Sequence, residues 1–322
     1  MFAGQGSQYY RMGREFFARK AVFRDWMNFC SRRLEPVLGL SLTDVLYGPR
    51  SDPFAAFDET RLTHPAIFCV NYCVAQTLIE EGIRPALLLG YSLGELVAWC
   101  VAGILRLEDA LPLVCRMAAD IEGETPPAAM LAILGSPELV VSHPEVFGAV
   151  FVACINYTEN FVVVGTPEGV AGVQRALRAW GIPCQLLPIN RGFHSPLLNP
   201  IEGRLRAALA SVPFRPPEIP VVSSMLAAEV TDSDVNPGHC WELLRAPVRF
   251  FDTVRVLESQ APGLYIDVGP SGTLASFVRM IVGRSSESRA YPILTAFGHD
   301  LSNLDKLRLG MEGLPLLGNP AG

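Results

Sequence analysis

Ser92 stands in Gly90-Tyr91-Ser92-Leu93-Gly94, a G-x-S-x-G pattern. The short apolar run Pro85 to Leu89 precedes it, and a helical pattern of small residues reaching Ala102-Gly103 follows it. In that context a sharp strand-to-helix turn lifts a serine hydroxyl above a sheet, with glycines on both sides relieving the crowding. The Leu93 amide then falls at a helix N-terminus, where it can stabilise an oxyanion. The chemistry this implies is nucleophilic attack of a serine on a carbonyl, through an acyl-enzyme. The competing reading is a tight turn with a buried serine.

A serine hydroxyl needs a base. Of the five histidines, His194 in Arg191-Gly192-Phe193-His194-Ser195 lies where the chain leaves a distinct small segment and returns to the main body. Clefts form at such junctions. His143 and His299 sit in polar, turn-like stretches and read as solvated. His64 precedes Pro65 at a helix start and reads as a cap. His239 follows Asn236-Pro237-Gly238 and reads as another helix start. On the residues alone, His194 is the favoured partner of Ser92.

The elements that must position these residues follow from periodicity. A buried helix is expected over 54–83, a parallel strand over 85–89 and a further helix over 108–121. From Pro126 the texture changes to short apolar runs at 130–134, 150–155 and 161–164, a helix over 169–180 and a run at 184–188. Strand, short helix, strand, strand, helix, strand is the order of a ferredoxin-like unit. The mixed pattern then resumes, with strands at 221–224 and 265–268 and helices at 239–244, 248–260 and 273–282. The expectation is an α/β fold in which residues 1–125 and 193–322 form the large domain and residues 126–192 an α+β insertion.

Composition narrows the function classes. The 322 residues carry a net charge of −6, half are hydrophobic and 18% are charged. An acidic chain of this kind does not read as a nucleic-acid binder. No continuous apolar run reaches the ~18 residues of a membrane span. Eight dispersed cysteines with no C-x-x-C pair suit a reducing cytoplasm, and no metal-ligand cluster or phosphate-cradling loop stands out.

Four motifs in order resemble one family. Phe2-Ala3-Gly4-Gln5-Gly6-Ser7-Gln8, Gly90-Tyr91-Ser92-Leu93-Gly94-Glu95, Gly192-Phe193-His194-Ser195 and Asp267-Val268-Gly269-Pro270 resemble those of the acyl-carrier-protein acyltransferases. These are the malonyl-CoA:ACP transacylases and the acyltransferases of polyketide synthases. The resemblance covers nearly the whole chain and implies an α/β-hydrolase-like core with a ferredoxin-like insertion. It implies Ser92 as nucleophile, His194 as base oriented by a backbone carbonyl near Pro247-Val248-Arg249, and Gln5 and the Leu93 amide at the oxyanion. Asn156 falls in a loop that borders the acyl pocket. No cofactor is implied beyond the phosphopantetheine that the substrate carries on acyl carrier protein or CoA. A monomer acting with an acidic carrier protein is expected, with Arg175, Arg178, Arg191, Arg204 and Arg206 as candidates for the docking patch.

The chain also departs from the family pattern. Enzymes of carboxylated acyl groups place an arginine 25 residues beyond the serine to pair with the malonyl carboxylate; here that position is Met117. Arg116 is one residue away, and one helical step turns it by about 100°. Arg191-Gly192-Phe193-His194 replaces the H-A-F-H and Y-A-S-H motifs, so Gly192 is expected to open space, and Arg191 either faces solvent or the carrier or reaches the pocket. Tyr91 replaces a histidine, and only Met1 precedes Phe2. The missing arginine, together with Gln5-Gly6-Ser7-Gln8 followed by Tyr9-Tyr10 and Met12-Gly13, resembles the discrete acyl hydrolases of trans-acyltransferase polyketide pathways, which clear acyl groups from carrier proteins. An acyltransferase for non-carboxylated groups, a malonyl transferase relying on Arg191, and a catalytically silent carrier-docking module are the alternatives.

Overall fold

The computed structural model describes residues 1–49 and 51–312. Helices α1 (Arg14–Arg19), α2 (Ala21–Leu38), α3 (Leu42–Tyr47) and α4 (Thr60–Glu80) precede β1 (Leu88–Gly90), α5 (Leu93–Val101) and α6 (Leu107–Glu124). Next come β2 (Ala129–Ile133), α7 (Leu139–Ser142), α8 (Pro144–Phe147), β3 (Val150–Tyr157), β4 (Asn160–Gly165), α9 (Pro167–Ala179) and β5 (Cys184–Leu186). A 3₁₀ turn, Pro196–Ile201, leads into α10 (Glu202–Leu209), β6 (Val221–Ser223), β7 (Ala228–Glu229), α11 (Pro237–Arg245) and α12 (Phe250–Gln260). The chain then forms β8 (Leu264–Asp267), α13 (Thr273–Val282), β9 (Arg289–Pro292) and α14 (Asp300–Met311).

The buried run before Ser92 is a parallel strand, as its apolar continuity predicts. β1 pairs in parallel with β6, β6 antiparallel with β7, and β8 in parallel with β9. Residues 1 and 2 join these pieces. The Phe2 amide donates to the Leu89 carbonyl at 2.9 Å and the Val268 amide to the Met1 carbonyl at 3.1 Å. The spatial order is therefore β9, β8, residues 1–2, β1, β6, β7.

The second sheet has the order β3-β4-β2-β5, all antiparallel, which is the ferredoxin-like arrangement. Its strands alternate between two cores. Leu131, Ile133, Phe161 and Val163 pack with Val170, Val173 and Leu177 of α9, whereas Met130, Val162 and Val164 join the large core. Successive strand residues face opposite sides, so this sheet is covered by its own helix on one face and by the main body on the other.

Three expectations shift. The helix expected over 54–83 begins at Thr60, and that expected over 248–260 begins at Phe250. α4 has 21 residues and is apolar enough by length and mean composition to cross a membrane, although polar residues interrupt its apolar runs. However, 89% of its most apolar stretch is buried within the protein, so here it is a core helix. His239 is more than a helix start, because Asn236 caps α11. Its buried Nε2 lies 2.7 Å from Glu95 Oε1, and Ser223 Oγ donates to Glu95 Oε2 at 2.8 Å.

Glu95 thus ties α5, directly after Ser92, to β6 and α11. Burial pushes its carboxyl upward while His239 and Ser223 pull it back. Glu95→Ala is expected to cost about 3–5 kcal/mol, because His239 and Ser223 lose a buried partner. Urea unfolding of the variant, read against wild type, checks this; equal midpoints would mean the cluster contributes nothing.

Candidate active site

Ser92 adopts φ 54 and ψ −127 between β1 and α5, a conformation a non-glycine residue rarely takes. Such strain costs of order 1–3 kcal/mol and persists only where the surroundings over-determine it. They do so here. Gly94 packs so tightly on the Phe2 carbonyl that a side chain there would collide with it. A Cβ on Gly4 would lie 3.0 Å from Ser92 Cβ and 3.3 Å from the Leu93 nitrogen, so loop 3–7 is pressed onto the turn. Leu93 is the first residue of α5, and its amide has no partner within the helix.

His194 meets Ser92 across 102 residues of sequence, with Nε2 2.7 Å from Oγ. Its Nδ1 donates to the Ala246 carbonyl at 2.8 Å. A carbonyl oxygen only accepts, so Nδ1 carries the proton and Nε2 offers its lone pair to the serine hydroxyl. The orienting carbonyl belongs to Ala246, one residue before the segment 247–249 expected from the sequence. Ala246 is fixed from both sides. Its amide bonds to Glu242 of α11 at 2.7 Å, and Val248 pairs with Ala153 and Ile155 of β3 at 2.8 and 2.9 Å. His194 also has a positive φ, 60°, held by its amide bond to the Leu244 carbonyl. Ser92 and His194 are only 6% and 4% exposed. Burial pushes the His194 imidazole down to about 4, opposed by its bond to Ala246.

A cleft of about 410 Å³ opens next to the Ser92 turn, between loop 3–7, the ferredoxin-like sheet and α13; Gly4, packed on that turn, lines it, whereas Ser92 and His194 are not among its lining residues. Tyr91, Asn156 and Gln5 line it. Asn156 is the extra residue of a β-bulge between Ile155 and Tyr157, and bulges re-aim side chains. Its Oδ1 accepts from Tyr91 Oη at 2.8 Å and its Nδ2 donates to Asn160 Oδ1 at 2.7 Å. Asn160, overlooked in the sequence, completes a chain that ends on the Ile133 carbonyl at 3.3 Å. Burial drives the Tyr91 hydroxyl well up, so it stays neutral. The rest of the wall is largely apolar, with Ala132, Leu134, Val162, Leu187, Leu274 and Phe277, and no Arg, Lys, Asp or Glu is among the lining residues.

A family model for acyl transferase domains matches residues 1–318. The chain belongs to the acyl transferase domain family. It is 38% identical over 305 residues to the polyketide biosynthesis acyltransferase homolog PksD of Bacillus subtilis, covering 95% of this chain and 94% of that one. It is 39% identical over 310 residues to BaeD of Bacillus velezensis, another polyketide biosynthesis acyltransferase homolog, with the same shares covered. Among solved structures, a loading acyltransferase from the avermectin modular polyketide synthase matches with a TM-score of 0.88 at 26% identity, over 95% of this chain and 98% of that one.

Within this acyl transferase fold the remaining predicted residues divide. Met117 is buried in the large core and is not among the residues lining the cleft. Arg116 is exposed and lines a separate shallow groove with Asp120 and Arg204. Arg191 neither faces solvent freely nor enters the cleft. Its Nη2 donates to the Glu122 carbonyl in the last turn of α6 at 2.9 Å, and its Nη1 to the Asn190 carbonyl. Gly192 does not open space, because a Cβ there would lie 2.5 Å from Leu197 Cβ. Phe193 is buried and stacks on His64 with ring centroids 5.2 Å apart. His64 itself is no cap, for its Nδ1 bonds to Gln5 Oε1 at 3.0 Å. The signal for it was a His-Pro pair opening a helix that is otherwise nearly all apolar.

The depressed His194 value sets the expected pH dependence. If the neutral imidazole acts as the base, as its geometry allows, acylation of the protein by a p-nitrophenyl ester should stay level from pH 8 to about pH 5. It should then fall as His194 takes up a proton near 4. A stopped-flow pH profile with its acid limb near 6.5 would contradict the buried-base geometry.

Proposed function

We propose that the protein is a serine acyl-enzyme that hydrolyses non-carboxylated acyl thioesters from acyl carrier protein in polyketide biosynthesis. Ser92 is the nucleophile and His194 the base. The Leu93 and Gln5 backbone amides are the oxyanion donors. The observation that carries the reading is the uncharged cleft. No cation lines it, Arg191 is engaged at the end of α6, and Arg116 lies on another surface. A malonyl carboxylate buried there would have no cationic partner, which leaves its desolvation without a compensating charge.

The proposed reaction runs in two halves. Ser92 Oγ attacks the thioester carbonyl while its proton moves to His194 Nε2, and the tetrahedral oxygen develops beside the Leu93 amide. Collapse breaks the C–S bond. The departing phosphopantetheine thiolate takes the proton from His194 and leaves the acyl group on Ser92. Water then attacks the ester and gives a proton to His194. A second collapse returns that proton to Ser92 Oγ and releases the carboxylic acid. The Ala246 carbonyl stabilises the imidazolium each time it forms.

The same dyad serves acyl transfer if a second carrier thiol replaces the water, and membership of the acyl transferase family favours that reading. Either way an acyl carrier protein is the partner we propose. Of the arginines considered for its docking, Arg204 and Arg206 are paired with Glu124 and Glu202 at 2.8 Å, while Arg175 and Arg178 stay exposed on α9. A cytoplasmic location suits eight cysteines that are all free thiols.

A mass-spectrometric time course with acetyl-, medium-chain acyl- and malonyl-loaded carrier protein separates these readings. One half of the reactions contains empty holo carrier. Loss of the acetyl and medium-chain groups without transfer, at least about tenfold faster than malonyl, is expected. Ser92→Ala should abolish it. Quantitative arrival of acyl groups on the second carrier would establish the transferase instead, and preferential handling of malonyl would overturn the reading of the cleft.

A further inference from the structure

We infer that His64 is a positioning residue, a neutral imidazole that clamps the Gln5 loop onto the Ser92 turn. The inference rests on the reading of Ser92 and His194 as nucleophile and base.

The side-chain amide of Gln5 is held at both ends by the start of α4. Its Oε1 accepts from His64 Nδ1 at 3.0 Å and its Nε2 donates to Thr63 Oγ1 at 2.6 Å. The preceding residue, Gly4, is the one pressed against Ser92 and the Leu93 nitrogen. Fixing Gln5 therefore fixes the backbone that flanks the developing oxyanion. The opposite face of the link involves the base. The His64 ring lies at 21° to that of Phe193, whose neighbour in the chain is His194. A single buried side chain thus contacts both loops that complete the Ser92 site, across 59 residues to Gln5.

Its chemistry is also defined. The Gln5 carbonyl requires the proton on Nδ1, which leaves Nε2 with a lone pair. That atom is buried and has no hydrogen-bond partner. Protonating it would create a buried N–H without an acceptor, and burial accordingly holds the ring neutral, with its value pushed down to about 3. A residue serving only to fill this apolar site would better be a phenylalanine or leucine, because an unsatisfied buried polar atom is destabilising. The imidazole is accounted for by the one bond it makes, to Gln5.

Two substitutions separate positioning from packing. His64→Phe keeps the stack on Phe193 and removes the donor. His64→Asn keeps a donor near the Nδ1 position and removes the ring. With short-chain acyl carrier protein as substrate, H64F should lower kcat about tenfold with KM within twofold and Tm unchanged or raised. H64N should recover most of that kcat. Gln5→Ala should lower kcat by a similar factor, and the H64F/Q5A double variant should be no slower than either single one. Should H64F fail to fold, Q5A and H64N still read the same link. Full kcat in H64F, equal losses in H64F and H64N, or additive losses in the double variant would overturn the clamp. Wild-type activity in Ser92→Ala would overturn the dyad instead, whatever the His64 variants do.

Discussion

The bond from His194 Nδ1 to the Ala246 carbonyl, 2.8 Å long, is the constraint on which the site depends. It decides the tautomer, and the tautomer decides whether Ser92 faces a lone pair or a proton. No acidic side chain performs this task. A backbone carbonyl cannot ionise or swing to another rotamer, but it can be displaced if its segment slides. Much of the local architecture prevents that. α11 ends one residue earlier, β3 takes up Val248 as a bridge, and the Arg249 amide bonds to Ser224 just beyond β6. The ferredoxin-like sheet therefore does more than wall a cleft, because through β3 it holds the atom that orients the base.

Strain at the nucleophile is met in the same way. Ser92 sits at positive φ because the turn is trapped between β1, α5 and loop 3–7, where Gly4 and Gly94 leave no room for a side chain. The Glu95 carboxylate anchors the following helix to β6 and α11 from within the core. Two elements that lie far apart in sequence thus converge with little freedom. The 2.7 Å approach of His194 to Ser92 is set by the packing around it.

What was legible in the sequence follows from this. Ser92 could be found because its turn imposes local requirements, glycines and an apolar strand, that are written within a few residues. The insertion could be read because its central strands are covered on both faces, which makes them short continuous apolar runs. The orienting carbonyl was placed one residue late, at 247–249, because a backbone acceptor has no residue type to betray it. Gly192 and His64 were misread, and the anchoring of Arg191 was unforeseen, for another reason. Their roles depend on partners at Glu122, Leu197 and Gln5, and nothing in the local pattern names those partners. Glu95 and His239, 144 residues apart, were hidden likewise.

Selectivity in this fold can then change without touching the reacting atoms. The dyad and the Leu93 amide act on any thioester carbonyl, so discrimination must come from the cleft. A cation in the cleft would make a carboxylated acyl group the better ligand and leave itself unpaired with a plain one. On the proposed function an uncharged wall would reverse both terms at once: a plain acyl chain would bury against Val162, Leu187 and Phe277, and a carboxylate would lose water without gaining a cation. Such a wall also gains little from any particular apolar chain, since each methylene contributes only about 0.8 kcal/mol. On that proposal, breadth toward ordinary acyl groups and rejection of charged ones would be two consequences of one absence of charge. That combination suits an enzyme that removes whatever stalled acyl group a carrier protein presents while sparing its malonyl building blocks.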